Sequence, residues 1–506
     1  MNLLKPERLP PSNMEEASLS STLQRLFPIL AITAFGFILR LVKVDSSFWY
    51  DEGYTGYLST QSLGDLLHFT TKEDIQSPLY YLTVWFWAQI FPTDWGIRLF
   101  SVLIGVISIP LLYSLASKMF NRQVGLVASA FLALSPFHLN YSIEARPYSL
   151  YILFGIAALW FLVIALESNK NLNGWWLCYS FTATLMLYIH HIGAMVFMGM
   201  VAFHFCLIWP MDRKRFFQWI GFSTVPVVLF LPWISVVLSQ IGMSKDILRW
   251  IPKTNLATFL KMMIRYIYFL PYDRPGLIII ALWIMPHLVL LGLAPLISES
   301  ASRKKVIALT AFAVVPITVV TIYSCFVQPI FVTRYLAPVV ITLMILPAIP
   351  VVSLKKTRWH SVLVLITVLA LILPFINCLH YIKLPRTVNW RGAAKEIKQN
   401  MKDDDIILVF PKGALYVFNF YFQDNEGSVV KTINDSADFN SLDFEFLKGR
   451  RRLWIIRNQV LNGDATLKVV NWFDQKYNII MKDNQFKWLD IILVNLTPKS
   501  EPAINE

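Results

Sequence analysis

The sequence predicts an α-helical polytopic membrane protein with about 11 transmembrane helices, followed by a C-terminal soluble α/β domain. Three observations predict this fold class. Hydrophobic residues make up 56% of the 506 residues, more than one soluble core of ordinary size can bury, which excludes a single soluble enzyme. Apolar runs of bilayer-spanning length recur over roughly the first three quarters of the chain. After Tyr381 the composition becomes that of a soluble protein.

The apolar runs define the predicted spans. A helix needs about 20 apolar residues to cross the hydrocarbon layer, because every backbone N–H and C=O must be satisfied within the segment. The third and fifth runs are short, and we expect them to break or tilt. In chain order the predicted spans cover residues 26–44, 99–116, 124–139, 148–166, 175–188, 192–209, 217–239, 277–297, 306–326, 335–352 and 360–381.

The distribution of basic residues predicts the orientation. The formal net charge is +13, but Lys and Arg cluster at alternate loops, which is typical of cytoplasmic loops and not of a nucleic-acid-binding surface. These basic positions are Lys118, Arg122, Lys170, Arg213, Lys214, Arg215, Arg303, Lys304, Lys305, Lys355, Lys356 and Arg358. We therefore expect a cytoplasmic tail at 1–25, a membrane domain at 26–382 with outer loops 45–98 and 240–276, and an extracytoplasmic domain at 383–506.

The outer loops and the C-terminal region carry weaker structural signals. The aromatic-rich run 77–91 predicts an interfacial helix, because Trp and Tyr favour the headgroup region. In the C-terminal domain, periodicity predicts a helix at 390–401 and strands at 405–410, 453–456 and 488–494. The domain sequence contains no Gly-rich phosphate loop and no nucleophile elbow, so it indicates no activity of its own.

Cysteines and the N-terminus indicate neither disulfides nor a cleaved signal. Each of the four cysteines lies in an apolar run without CxxC spacing, which predicts neither a disulfide framework nor a zinc site. The first 24 residues are polar and lack the apolar core of a signal peptide, so the first apolar run is expected to be a retained span.

Asp51 and Glu52 are adjacent carboxylates that follow the first predicted span, within an aromatic segment. Ionisable residues at a membrane are costly unless they are used, so these acids are candidate site residues. They could supply a general base or bind a metal ion. The alternative is a pair of solvated loop acids.

Glu144, Arg146 and Tyr148 stand at the start of the fourth predicted span, on the outer side. The planar guanidinium of arginine can hold a phosphate through two parallel hydrogen bonds, and a nearby carboxylate can orient it. Pro147 suits the first position of a helix. A helix-end ion pair, with the arginine reaching toward the headgroups, is an equally open interpretation.

Two further outer positions carry candidate groups. His190 and His191 could bind a divalent metal or donate hydrogen bonds to a phosphate, although ordinary hydrogen bonding is the simpler interpretation. Arg334 opens the tenth predicted span and offers a second phosphate-binding group beside the Tyr335 hydroxyl. Anchoring at the membrane interface is the alternative for this pair.

Taken in order, these segments resemble the bacterial branch of the dolichyl-phosphate-mannose protein mannosyltransferase family. This branch consists of GT-C glycosyltransferases and includes the aminoarabinose transferase that acts on lipid A. The resemblance covers about residues 26–338. It is carried by Asp51-Glu52, Ser77-Pro-Leu-Tyr-Tyr81, Gly96-Ile-Arg98-Leu, Leu134-Ser-Pro-Phe-His138, Glu144-Ala-Arg146-Pro-Tyr148-Ser-Leu150, the two loop histidines and Arg334-Tyr335-Leu-Ala-Pro338.

The resemblance implies a glycosyltransferase of the plasma (inner) membrane that takes its sugar from a polyprenyl-phosphate carrier instead of a nucleotide. It implies inverting transfer, on the outer face, to an acceptor protein, lipid or glycan, with membrane lipids as further partners and no nucleic acid. Asp51 takes the catalytic role, with Glu52 as its neighbour. Arg146, Arg334, Tyr335 and Lys253 would bind the donor phosphate.

Glu144, Tyr148, His190 and His191 would support this site. No cofactor is implied with certainty, and a divalent metal stays an open alternative. The basic second outer loop and the C-terminal domain are not fixed features of the family, so the acceptor stays open, as do the sugar, the carrier length and the oligomeric state.

Two other function classes fit part of the sequence. A transporter or flippase of a lipid-linked substrate would also carry arginines and carboxylates, but near the midplane, on broken helices and usually with internal repeats. Here the charged groups gather at one face and no repeat is visible. A membrane scaffold whose C-terminal domain binds a partner would leave the outer-loop acids dispensable.

Overall fold

The computed structural model describes residues 11–73, 75, 77–168, 174–268, 277–297, 300–383, 388–423, 429–432, 447–458, 463–483, 486 and 488–498. Helices dominate these residues, and one sheet of five strands lies near the C-terminus. One extended apolar core joins the membrane helices to part of the C-terminal domain.

The helices of the first half are α1 (Pro11–Leu41), α2 (Tyr50–Ser59), α3 (Leu63–Lys72), α4 (Pro78–Ala88), α5 (Asp94–Met119), α6 (Arg122–Leu134), α7 (Pro136–Ser142), α8 (Tyr148–Glu167), α9 (Gly174–Leu187), α10 (Gly193–Ile208), α11 (Arg213–Ile247) and α12 (Leu256–Ile264). Next come α13 (Leu277–Ile297), α14 (Ser300–Phe326), a 3₁₀ helix (Thr333–Val339), α15 (Val340–Ile345), α16 (Ala348–Ser353) and α17 (His360–Lys383). The C-terminal elements are α18 (Trp390–Asn400), β1 (Ile406–Phe410), α19 (Ala414–Phe422), β2 (Val429–Thr432), β3 (Arg452–Asn458), α20 (Gly463–Lys476), β4 (Tyr477–Asp483) and β5 (Leu489–Pro498).

Among the described residues, six helical segments are long and apolar enough to cross a membrane, or seven if the bent pair of α6 and α7 is one span. The six are Leu23–Leu41, Asp94–Met119, Tyr148–Glu167, Arg213–Met243, Ser302–Phe326 and Thr333–Ser353. The polytopic helical class is thus confirmed, while the number of eleven spans stays a prediction. So do the domain boundaries at 25 and 382.

The expected break in the third predicted span lies at Ser135. Because a proline disfavours helical geometry at the preceding residue, Pro136 leaves Ser135 extended, with ψ of 119°. The Ser135 hydroxyl then accepts a hydrogen bond from the His138 N–H at 3.2 Å and caps the next helix. α6 and α7 meet at 60°.

The two long loops contain helices of their own. The predicted helix at 77–91 is observed as α4, which begins with Pro78 and buries Tyr80 and Tyr81. In the second loop, α11 continues to Ile247, beyond the predicted end at 239, and the loop then forms the short helix α12. The bounds of the outer loop stay a prediction.

The sheet confirms a C-terminal α/β unit. Its strand order is β2-β1-β3-β5-β4, with β1 parallel to β2 and β3, and β5 antiparallel to β3 and β4. All five residues of β1 are buried, as expected for a parallel strand covered on both faces. The predicted helix and three predicted strands are all present, whereas α19 is a further apolar helix that the sequence analysis did not predict.

Candidate active site

The two adjacent acids lie on the first turn of α2, within the loop between α1 and α5. Consecutive residues of an α-helix point about 100° apart, so the two carboxylates face different surroundings. Glu52 is completely buried, whereas the Asp51 side chain keeps 22% of its surface exposed. α2 thereby separates the two candidate groups that the sequence places together.

The carboxylate of Glu52 is fully satisfied by four donors. One oxygen accepts hydrogen bonds from Arg98 Nε at 2.8 Å and from the Ala145 N–H at 2.7 Å. The other accepts from Arg98 Nη2 at 2.5 Å and from the Trp49 N–H at 3.2 Å. Since two carboxylate oxygens offer about four acceptor positions, Glu52 has no remaining position for a substrate or a metal ion.

Arg98 is the matching cation of this buried pair. Its remaining N–H groups donate to the backbone carbonyls of Val44, Ser46 and Ser47, and its guanidinium lies 4.9 Å from the Phe48 ring centre. The pair ties α2 to α5 and to the end of α1. Arg98 belongs to the motif Gly96-Ile-Arg98-Leu, for which no role was predicted, although a lone arginine at the edge of an apolar run is a signal for such a partner.

Asp51 meets two arginines that come from distant parts of the chain. Its carboxylate Oδ2 lies 3.3 Å from Arg334 Nη2, at the start of the 3₁₀ helix. Its backbone carbonyl accepts a hydrogen bond from Arg146 Nη1 at 3.0 Å, and the same nitrogen donates to the Tyr81 hydroxyl at 3.0 Å. The structure therefore brings Asp51, Arg146 and Arg334 together in one site, which we call the Asp51 site.

Arg334 is surrounded by aromatic rings. Its guanidinium lies 5.2 Å from the centre of Trp250, 5.8 Å from Tyr335 and 5.9 Å from Tyr148, within the range of cation–π attraction. Ring faces stabilise the positive charge without accepting its N–H groups in strong hydrogen bonds. Among the described residues, the enclosed Arg334 Nε has no hydrogen-bond partner. Arg334 thus combines a positive charge with an available donor beside Asp51.

His190 lies in the connection between α9 and α10 and packs against Tyr148 and Tyr335. Its ring stacks on Tyr151 at 5.6 Å and lies 4.9 Å from Tyr335. Burial lowers the pKa of His190 to about 3, helped by the charges of His191, Arg146 and Arg334. Its Nδ1 accepts the Ile192 N–H at 3.1 Å, so the neutral ring carries its proton on Nε2, which has no partner among the described residues.

Three further predicted residues are Glu144, His191 and Lys253. Buried Glu144 accepts a hydrogen bond from Asn140 at 3.0 Å, and its carbonyl accepts the Arg146 N–H at 2.7 Å. His191 contacts Trp233 of α11, with 3.4 Å between ring nitrogens. Lys253 is exposed, three residues beyond Trp250. In the described part of the chain, no group of three His, Cys, Asp or Glu side chains is placed to hold a metal ion.

α19 of the C-terminal domain covers the face of α2 opposite to the membrane helices. A Cβ atom added at Gly53 would lie 2.4 Å from the Cβ of Val417, so only glycine permits this approach. Next to it, the Tyr416 ring packs against Tyr54 at 4.6 Å and Tyr57 at 5.1 Å. The C-terminal domain thus lies on the same face of the protein as the Asp51 site and forms part of its support.

A cluster of polar side chains also stabilises the contact between the C-terminal domain and the loop that contains α2. The buried carboxylate of Asp94 accepts hydrogen bonds from Arg391 Nη2 at 2.6 Å and from the Tyr421 hydroxyl at 2.6 Å. The Tyr421 oxygen accepts the Phe48 N–H at 2.7 Å. Burial and the nearby Asp94 charge raise the pKa of Tyr421, which keeps its proton in place as a donor. We call Asp94, Arg391 and Tyr421 the Asp94 clamp.

An acid on a short helix after the first span, arginines beside it and a C-terminal domain over the same face define a polytopic helical protein with one candidate active site at that face. The comparisons with known proteins agree. Residues 75–239, about a third of the chain, match the family model described as Dolichyl-phosphate-mannose-protein mannosyltransferase. No curated protein matches the sequence.

Solved structures extend the likeness over most of the chain. ArnT from Cupriavidus metallidurans bound to undecaprenyl phosphate has a TM-score of 0.61 and 11% identity, covering 94% of this chain and 98% of that one. The Archaeoglobus fulgidus oligosaccharyltransferase AglB, in complex with an inhibitory peptide and a dolichol-phosphate, has a TM-score of 0.59 and 11% identity, covering 91% and 73%. The arabinofuranosyltransferase AftD from Mycobacteria has a TM-score of 0.56 and 14% identity, covering 92% and 40%.

All three are GT-C glycosyltransferases, and the likeness shows that this chain has their fold. The GT-C resemblance predicted from the sequence is therefore confirmed.

Proposed function

We propose that the protein is a glycosyltransferase that moves a sugar from a polyprenyl-phosphate carrier to an acceptor at the outer face of the membrane. The observation that carries the proposal is the Asp51–Arg334 pair, a partly exposed carboxylate beside a cation that keeps an available donor. Two of the similar structures were solved with undecaprenyl phosphate or a dolichol-phosphate, which supports a polyprenyl-phosphate donor.

The reaction is an inverting displacement at the anomeric carbon. The acceptor oxygen or nitrogen forms its bond to that carbon while the bond to the phosphate oxygen breaks, and the acceptor proton passes to the Asp51 carboxylate. The departing polyprenyl phosphate gains negative charge. Arg334 and the Tyr335 hydroxyl stabilise that charge, with Lys253 at the exposed edge.

Glu52 holds the helix that carries Asp51, and in this proposal it is a positioning residue rather than a second catalytic acid. Its four hydrogen bonds fix α2 against Arg98 and the segment before α8. Arg146 fixes the Asp51 backbone and contributes positive charge for the donor phosphate. Glu144, Tyr148, His190 and His191 line or support this surface.

Orientation follows from the basic loops. Asp51 and Arg334 lie by the start of α8, whereas Lys118, Lys214, Arg215 and Lys305 lie by its end, and this separation supports an extracytoplasmic site in the plasma (inner) membrane. The donor reaches this site within the bilayer, and the acceptor is a protein, lipid or glycan on that side.

Replacement of Asp51 by Asn tests the proposal. The wild-type and variant proteins are reconstituted in vesicles with lipid-linked sugars extracted from cells that lack the gene, and transfer is followed with radiolabelled donor. We expect a 10²- to 10⁴-fold loss of transfer, the usual contribution of a general base. Glu73→Gln, a matched loss of charge at an exposed residue of the same loop, should leave transfer unchanged. Full activity of the Asp51 variant would remove this carboxylate from the mechanism, whereas an absence of transfer by the wild-type protein would favour a transporter or scaffold.

A further inference from the structure

A second cavity lies at the end of the helix bundle opposite to the Asp51 site. α8 begins with Tyr148 beside Arg334 and ends with Glu167 at this cavity, a rise of about 30 Å over its 20 residues. The cavity has a volume of about 490 Å³ and lies among the ends of α8 and α10 and the beginnings of α11 and α14. None of the residues proposed for sugar transfer lines it, so it calls for a separate explanation.

About half of the residues that line the cavity are apolar, and one buried polar side chain, that of His204, lies among them. The walls include Val163, Leu166, Leu207 and Trp176. His204 is 1% exposed, its ring lies 5.5 Å from Trp176, and its Nδ1 is enclosed without a hydrogen-bond partner among the described residues. An enclosed nitrogen of this kind is costly to leave unsatisfied, which indicates a site that a polar ligand completes.

The rim carries three cations, Lys214, Arg215 and Lys305, and two acids, Glu167 and Asp212. Both acids are already engaged. Glu167 pairs with Lys118 at 2.7 Å, and Asp212 accepts the backbone N–H of Arg215 at 2.8 Å, which caps α11. The guanidinium of exposed Arg215 has no partner among the described residues. The three cations outnumber the two acids, so the rim has a net positive charge, and the Arg215 guanidinium is its available cation.

We propose that this cavity binds the phosphate headgroup of an anionic phospholipid, drawn from the leaflet opposite to the transfer site. Basic pockets between membrane helices are suited to such headgroups. Lys214 and Arg215 hold the phosphate, and the acyl chains lie along the apolar walls. Exposed Trp209 and Phe217 next to the cavity favour a lipid over free phosphate, because such aromatic side chains anchor at the headgroup level.

The proposal is tested on the full-length protein by counting bound lipid in native mass spectrometry. The protein is placed in nanodiscs of equal parts phosphatidylglycerol and phosphatidylcholine. In a Lys214→Gln/Arg215→Gln variant we expect about 25-fold weaker retention of phosphatidylglycerol, since each basic residue near such a headgroup contributes about fivefold. Lys355→Gln/Lys356→Gln removes the same charge from exposed positions that do not line the cavity, and should leave retention unchanged.

A second variant, His204→Phe, removes the enclosed ring nitrogen without changing the rim charge, and it should also lower retention. If Lys214→Gln/Arg215→Gln and Lys355→Gln/Lys356→Gln lose the same amount of phosphatidylglycerol, binding depends on overall surface charge, which would overturn the site. Unchanged phosphatidylglycerol retention in both cavity variants would also overturn the site. Displacement of the lipid by millimolar inorganic phosphate would identify free phosphate as the ligand and overturn the assignment to a lipid. Sugar transfer is not part of this readout, so the result is independent of the proposed function.

Discussion

Glu52 and Asp51 are neighbours in α2 but face two different sides of the helix. The two sides differ in burial and in hydrogen bonding. On the Glu52 side, a fully buried carboxylate is saturated by one arginine and two backbone N–H groups. On the Asp51 side, the carboxylate is partly exposed, and the Arg334 beside it keeps an available donor. The first arrangement has no capacity left for a ligand, whereas the second has both a proton acceptor and an anion-binding group. The difference separates a stabilising pair from a reactive one, and four variants test it.

The largest expected effect is on stability, on the Glu52 side. Glu52→Ala leaves Arg98 buried without its carboxylate, which typically costs about 3–5 kcal/mol. The apparent free energy of unfolding of the detergent-solubilised protein should fall by this amount. A Glu52→Ala protein as stable as wild type would contradict the structural role.

The next effect is on donor binding, on the Asp51 side. Arg334→Gln removes a charge-assisted donor and should raise the KM for the lipid-linked donor by roughly 10- to 100-fold, because such a bond contributes about 1.5–3 kcal/mol. Stability should change little. Steady-state kinetics in vesicles measure the first quantity and thermal unfolding the second. A variant with normal KM but reduced stability would show that Arg334, like Glu52, stabilises the fold and does not bind the donor.

The pH dependence of stability sharpens the comparison further. The folded-state pKa of His190 is lowered to about 3. Below about pH 6.5, therefore, this histidine is protonated in the unfolded chain but stays neutral in the folded protein. This histidine therefore costs stability as the pH falls below about 6.5, by about 2 kcal/mol near pH 5. In His190→Gln the loss of stability between pH 7.5 and 5 should be smaller by that amount. An unchanged pH profile would show that the ring is hydrated and its proton accessible.

The smallest effect is expected at the Asp94 clamp, which supports both sides of α2 from outside. Tyr421→Phe removes one hydroxyl that bridges Asp94 and the Phe48 N–H, and should cost about 1–2 kcal/mol of stability. We also expect a severalfold lower kcat with unchanged KM, because α2 is then held less firmly. Tyr477→Phe, in β4 and away from α2, is the matched control. Equal behaviour of the two variants would confine the clamp to folding of the C-terminal domain.

Much of this arrangement could be predicted from residue order. The break at Pro136, the helix after Ser77 and the C-terminal strands follow from local chemistry, and so are visible in the sequence. The roles of Asp51 and Glu52 could not be separated in this way. The Ala145 N–H that saturates Glu52 lies 93 residues further along the chain, and backbone donors have no sequence signature. α19 was missed because a nine-residue apolar run within a soluble domain shows no partner until the fold supplies α2.

The contact between the Phe48 N–H and the Tyr421 hydroxyl joins positions 373 residues apart. During synthesis, α2 leaves the ribosome early, whereas α19, which packs on it, is made only near the end of translation. Chains that stop after α17 would thus insert into the bilayer with an unfinished α2. Under the proposed function, competence for sugar transfer is therefore acquired late, once the last domain has folded, so that incomplete chains would consume no lipid-linked sugar.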